Sequence, residues 1–245
     1  MASLNASITS TGLISTGDAS GNLDLQSNGT TGLSVRSGGK VVLANTALST
    51  ASAGTLEYDG GELYFTPLGT QRGLVSSAQY FRLDSSLAGA NVNTAQSIFG
   101  VGVTLSANTV YYYEHLYVLT KTAGTTSHNL SYQFGGTATT NNILWYSHYS
   151  NAGIPGSLSA ASATHAIGAS IVTSSVAGTV GITTASITFI HKGSGTVSIA
   201  TGGTFIPQYI LSAAPGGAYT TAAGSYFLIY PIGASGSNVS IGTWA

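Results

Sequence analysis

Seven carboxylates and five histidines are the groups in this 245-residue chain that could support acid–base, metal or nucleophilic chemistry. Three of the acids, Glu57, Asp59 and Glu62, crowd into one stretch, AGTLEYDGGELYFTPLGTQRGLV, at residues 53–75. The last carboxylate is Glu114, and beyond Lys121 only Lys192 is charged. The larger, C-terminal part therefore lacks the carboxylate pair that glycoside hydrolysis requires. Apart from acids near its start, it has nothing to orient a triad histidine. Histidines 115, 128, 148, 165 and 191 are dispersed, with no i,i+2 or i,i+4 pair. That spacing leaves open only a metal ring across a threefold axis, with one histidine per chain. The three hairpin acids would need backbone carbonyls to complete a calcium shell. No G-x-S-x-G, H-E-x-x-H, P-loop or EF-hand pattern is present, and the absence of cysteine excludes disulfides and thiolate metal sites. The expectation is a non-enzymatic chain with no cofactor.

One cluster suits binding rather than catalysis. ILWYSHYSN, residues 143–151, gathers Trp145, Tyr146, His148 and Tyr149. Aromatic rings beside polar groups can stack on a sugar and hydrogen-bond its edge. Packing in a core or a subunit interface is the competing use of the same residues.

Composition narrows the partners. Only 5% of the residues are charged, against roughly 25% in ordinary soluble domains. A net charge of −1 gives no basic field for nucleic acid or an anionic membrane. The longest apolar run, Tyr226 to Ile232, is too short to span a bilayer. The opening MASLNASITSTG has neither the basic nor the apolar region of a signal peptide, so the expectation is a chain made and kept in a cytoplasm-like setting or exported by a route other than a signal sequence. A hydrophobic content of 43% with fourteen tyrosines argues for a packed core rather than disorder. So little charge suits a chain held permanently in an assembly.

The elements that would position these residues change in character along the chain. In residues 11–46, Leu13, Leu23, Leu33 and Leu43 recur every ten residues within short alternating units, LIS, LDLQ, LSVR and VVL, separated by glycine turns. Strands this short are not stable alone, so neighbouring units or neighbouring chains must complete their core. A flexible Gly/Ser linker is the alternative. Leu23, Leu25, Leu33 and Val35 are the candidate seam between chains. Next, Leu56–Tyr58 and Leu63–Phe65 flank Asp59-Gly60-Gly61, the signal of a tight hairpin whose acids should form a solvated rim. From residue 76 the strands lengthen. Val110–Leu119, Leu130–Phe134, Ile143–Tyr146, Ile167–Val172, Ile187–His191, Thr196–Ala200, Thr204–Leu211 and Tyr226–Tyr230 are the expected strands, with HKGSG, residues 191–195, as a turn. Both faces of Val110–Leu119 are bulky, which predicts a strand covered on both sides.

GDASGNLDLQSNGTTGLSVRSGGKV followed by SAGTLEYDGGELYFTPLGTQRGLV resembles the N-terminal half of virion structural proteins of tailed bacteriophages. In those proteins a GTLEYDG hairpin and a (T/S)xRG element link a repetitive stalk to a C-terminal β domain. GTVSIATGGTFIPQYILSAAPGGAYTTAAGSYFLIYPIG, residues 195–233, is similar to their closing pattern. The resemblance implies a fibre or capsid-decoration role on the virion surface, with synthesis in the bacterial host.

The expected fold is thus all-β, an intertwined short-strand stalk followed by a jelly-roll-like β-sandwich head, assembled as a homotrimer. Residues 1–52 would form the virion-attachment segment and stalk, 53–75 a hairpin collar, and 76–245 the head. Leu4, Ile8, Leu13 and Ile14 are the only sizeable anchors for a capsid or tail partner at the N-terminal end. A host glycan is the further partner that the 143–151 cluster would take, as in a receptor-binding tail-fibre module.

Overall fold

A computed structural model describes residues 23–27, 30–36, 38–152, 164–171, 175–236 and 238. Among them every regular element is a β-strand, and the described residues divide into two compact units between Val75 and Ser76. The candidate anchors Leu4, Ile8, Leu13 and Ile14 lie outside the described residues.

The first unit contains two small antiparallel sheets. In one, β1 (Leu23–Ser27), β2 (Thr30–Arg36) and β3 (Lys40–Leu43) form a meander. Its registers pair Leu25 with Leu33, Leu33 with Leu43, and Val35 with Val41. β2 and β3 begin ten residues apart but β1 and β2 seven, so the period of ten is kept only across the second turn. Leu33 stands opposite both Leu25 and Leu43, cross-strand pairs that stabilise the sheet, and the register sets Leu23 opposite Val35. Of the candidate seam, Leu25, Leu33 and Val35 are half-buried, while the side chain of Leu23 lies outside the described residues. In the second sheet, β4 (Leu56–Tyr58) pairs with β5 (Leu63–Phe65), and β5 with β6 (Gly73–Leu74). The last pair is Tyr58 with Leu63, so the strands are the expected ones and residues 59–62 form the connection. The Asp59 carboxylate holds it. Its Oδ1 accepts from the amides of Gly61 (3.0 Å) and Glu62 (2.8 Å), building an Asx-type turn.

The second unit is a two-sheet sandwich. Its strands are β7 (Gln79–Arg82), β8 (Leu87–Ala88), β9 (Gln96–Ser97), β10 (Val103–Leu105), β11 (Thr109–Lys121), β12 (His128–Gly135), β13 (Thr139–Ala152), β14 (Thr164–Ile171), β15 (Ser175–Ile182), β16 (Ile187–Thr201), β17 (Gly203–Leu211), β18 (Thr220–Thr221) and β19 (Tyr226–Ala234). The small sheet runs β10-β17-β12-β15, with β9 also on β17. The large sheet runs β14-β13-β16-β11, after which β19 and then β7 continue it, and the short pair β18-β8 extends β11 farther along. With the β13–β14 hairpin set aside, the orders β7-β19-β11-β16 and β10-β17-β12-β15 are those of an eight-stranded jelly roll. The hairpin is an insertion that widens the large sheet.

Alternation places the core between the sheets. On β11, Tyr111, Tyr113, His115, Tyr117 and Leu119 are buried, and Tyr112, Glu114, Leu116 and Val118 on the other face are only half-buried. The strand is thus covered fully on one side, not on both. Tyr132 and Phe134 of the small sheet reach across to His191 (rings 3.9 Å apart) and Trp145 (4.4 Å) of the large one. Several strand expectations change. The short strands β7, β8, β9, β10 and β18 lie outside the expected set, and so does β15, SVAGTVGI, whose small residues carry little alternation. HKGSG is not a turn, because β16 runs straight through it. Its glycines permit close packing: a Cβ on Gly193 would lie 2.7 Å from the His115 ring, and one on Gly195 would collide with the Leu144 carbonyl. That approach lets the Tyr113 hydroxyl cross β16 and donate to Leu144 O at 2.8 Å.

Candidate functional site

The hairpin acids do not form the solvated rim expected of them. Glu57 accepts from the Ser49 hydroxyl at 2.6 Å and the Ser49 amide at 2.9 Å, and pairs with Arg72 through Nη2 (2.6 Å) and Nε (3.0 Å). Ser49 first, and then Arg72, hold its carboxyl below the usual range. The stretches GTLEYDG and TQRG are thereby joined by one charge-assisted pair, in which Nε and Nη2 of Arg72 both donate to Oε2 of Glu57 while Oε1 takes Ser49. Glu62 is buried, 7% exposed, and burial with the neighbouring Asp59 charge pushes its pKa up to about 7. Glu57 and Asp59 are engaged locally and Glu62 is buried, which corrects the picture of a solvated rim.

The histidines are brought together in a way their spacing concealed. His115 and His191, on neighbouring β11 and β16, meet in the core with Nε2 and Nδ1 2.9 Å apart. His115 stacks on Tyr117 (4.0 Å) and His191 on Tyr132 (3.9 Å). Burial lowers both pKa values, that of His191 to about 3, so the pair is neutral. His128 is also buried, with its ring nitrogens against Thr126 O (2.7 Å) and the Tyr219 hydroxyl (2.8 Å). Buried inside their own chain, these three histidines are not available to a metal ring across a threefold axis. Among the described residues no group of three or more acidic or histidine side chains could hold a metal ion.

The 143–151 cluster is split by strand alternation. Trp145 is 1% exposed and packs against Phe134 and Tyr113 in the core. It cannot stack on a glycan, and its proposed role is corrected to core packing. Tyr146, half exposed at 50%, and His148 lie on the opposite, outer face. The side chain of Tyr149 lies outside the described residues.

On that outer face the registers align residues remote in sequence. One row runs Tyr146, Ser194, Glu114, Leu228, Tyr80 across five strands, a second runs His148, Lys192, Leu116, Tyr226, and a third runs Leu144, Thr196, Tyr112, Tyr230. β16 contributes the small side chains of Ser194 and Thr196 between larger neighbours, with Lys192 at one end. The result is a trough of about 390 Å³ lined by Tyr112, Glu114, Tyr146, His148, Lys192 and Ser194. Tyr112 is braced by Tyr230 (rings 5.3 Å apart), and Tyr226, braced by Tyr80, donates its hydroxyl to Glu114 at 3.4 Å. Tyr112, Glu114, Lys192 and Ser194 were not anticipated as a group, although the alternation of β11 could have placed Tyr112 and Glu114 on one face. A second, apolar groove of about 310 Å³ opens between the edge strands β7 and β10, beside Phe81, Phe99 and Val101.

In comparisons with protein-family models, with curated proteins and with solved structures, nothing matches this chain.

Proposed function

We propose that the chain is a non-enzymatic structural subunit of a tailed-phage virion, a homotrimeric fibre or capsid-decoration protein on the particle surface. One observation supports this most. Among the described residues of the first unit Tyr64 is the one buried hydrophobic side chain, while Val41, Val42, Leu56, Phe65, Leu68 and Val75 stand 40–68% exposed. Covering a leucine or phenylalanine fully is worth about 1.5–3 kcal/mol, so a unit that leaves so many uncovered lacks a core of its own. Further copies of the same chain supply the missing surface, as the short repeated strands lead one to expect. The resemblance of residues 17–75 to phage virion proteins gives the setting. On this basis the N-terminal segment meets a capsid or tail protein and the jelly roll faces outward.

Light scattering on the purified chain tests the assembly. The expected mass is three times the 24.6 kDa of one chain. A stable monomer at micromolar concentration refutes it. Labelling the protein on intact particles then tests the location, and particles without label refute the virion role.

A further inference from the structure

We propose that the trough on the outer face of the large sheet is a binding site for a neutral saccharide. The site goes beyond the structural role and does not depend on the trimer.

The disposition of charge carries the inference. The jelly-roll unit has five charged residues. Arg82 and Asp84 pair with each other. Lys121 is buried, with Nζ donating to Gly124 O at 2.7 Å. The other two, Glu114 and Lys192, line the same trough, and no salt bridge joins them. A sheet face so poor in charge gains nothing for solubility by gathering its last anion and cation into one depression. A ligand that needs both an acceptor and a donor does gain, because hydrogen bonds to charged groups are the stronger ones.

The walls select the ligand class. Tyr146 on β13 and Tyr112 on β11 stand on either side of the low Ser194 floor, and tyrosine offers an apolar ring face with a polar tip. A pyranose has the matching character, a C–H face for the rings and a rim of hydroxyls. Glu114 accepts from vicinal hydroxyls, Lys192 donates to ring and hydroxyl oxygens, and Ser194 can do either. One anion and one cation leave the trough without net charge, so an acidic polymer gains nothing over a neutral one. A volume of about 390 Å³ lies in the usual range for small-ligand sites and suits one or two sugar units. Bracing by Tyr230 behind Tyr112 and by Tyr226 at Glu114 holds two wall groups in place before a ligand arrives, which lowers the ordering cost.

Saturation-transfer NMR on the full-length protein tests the site with maltotriose, mannotriose and the trimer of N-acetylglucosamine as neutral probes and digalacturonate as the acidic one. At least one neutral probe should receive saturation. Tyr146→Ala and Lys192→Ala should each weaken that binding about tenfold or more. Thr188→Ala, on the same face of β16 but away from the trough, should leave it unchanged. No transfer to any neutral probe at millimolar concentration overturns the proposal. So does binding indifferent to the trough variants, or a preference for digalacturonate. Light scattering on the same samples separates the remaining case. If Tyr146→Ala changes the assembly mass, the face is a subunit interface and the saccharide site is refuted, whereas the trimer is not.

Discussion

Acid should unfold the jelly roll through its paired core histidines. An unfolded histidine titrates near pH 6.5, whereas burial keeps His115 and His191 neutral far below that. Below about pH 6.5 the unfolded chain binds protons that the folded chain refuses, so stability falls with falling pH. By pH 5 the depth of the folded pKa values no longer matters. Each histidine then costs roughly 2 kcal/mol relative to pH 8, about 4 kcal/mol for the pair. That is a large share of an ordinary domain stability of about 5–15 kcal/mol. With a urea m value of about 2 kcal/mol/M, the midpoint should drop by about 2 M between pH 8 and pH 5. Trp145 reports the transition, since its ring lies 6.3 Å from His115 in the same core. Replacing both residues, His115→Phe with His191→Phe, keeps the ring stacking on Tyr117 and Tyr132 and removes the protonation sites. Most of the pH slope should vanish, with a residue left by buried His128, whose pKa burial also lowers. A wild-type midpoint that is flat between pH 8 and pH 5, or a double variant with the full slope, refutes the reasoning.

Three further outcomes are expected. Trp145→Ala should lose about 3–5 kcal/mol in denaturant melts, because it empties a fully buried site among Phe134, Tyr113 and His115. A variant as stable as wild type would contradict that burial. Gly124→Ala should destabilise by about 1–3 kcal/mol, since Gly124 has φ of +87° and a Cβ there would strike the Pro215 carbonyl. An unchanged melting temperature would show that the two loops do not meet. Glu62 should act on the first unit in the opposite sense to the histidines. Its raised pKa lets the folded chain hold a proton that the unfolded chain releases, so stability falls as pH rises from about 4.5 to about 7. Hydrogen exchange at the Thr66 and Val75 amides, corrected for intrinsic rate, should show protection decreasing over that window, and Glu62→Gln should abolish the trend.

What the sequence determined by itself was local. The β-branched and aromatic runs VYYYEHLYVL and YFLIYPI fix strands, and the short alternating units around Leu23, Leu33 and Leu43 fix the small strands β1–β3, whereas which face of VYYYEHLYVL is buried depends on packing. The shortage of carboxylates beyond Glu114 is likewise complete in the sequence. The tertiary structure decided whatever depends on register between distant strands. His115 and His191 meet only because β11 lies against β16 with Tyr117 opposite His191, a pairing no periodicity announces. Trp145 and Tyr146 are adjacent in sequence, yet the pleat sends one into the core and the other to the trough. Glu57 looked solvent-facing because its partner Arg72 arrives fifteen residues later, across a third strand. The glycines of HKGSG read as a turn in sequence, since glycine marks turns and close approaches with the same letter. Only the neighbouring His115 ring and Leu144 carbonyl show that this run is a strand thinned so that others can pack against it.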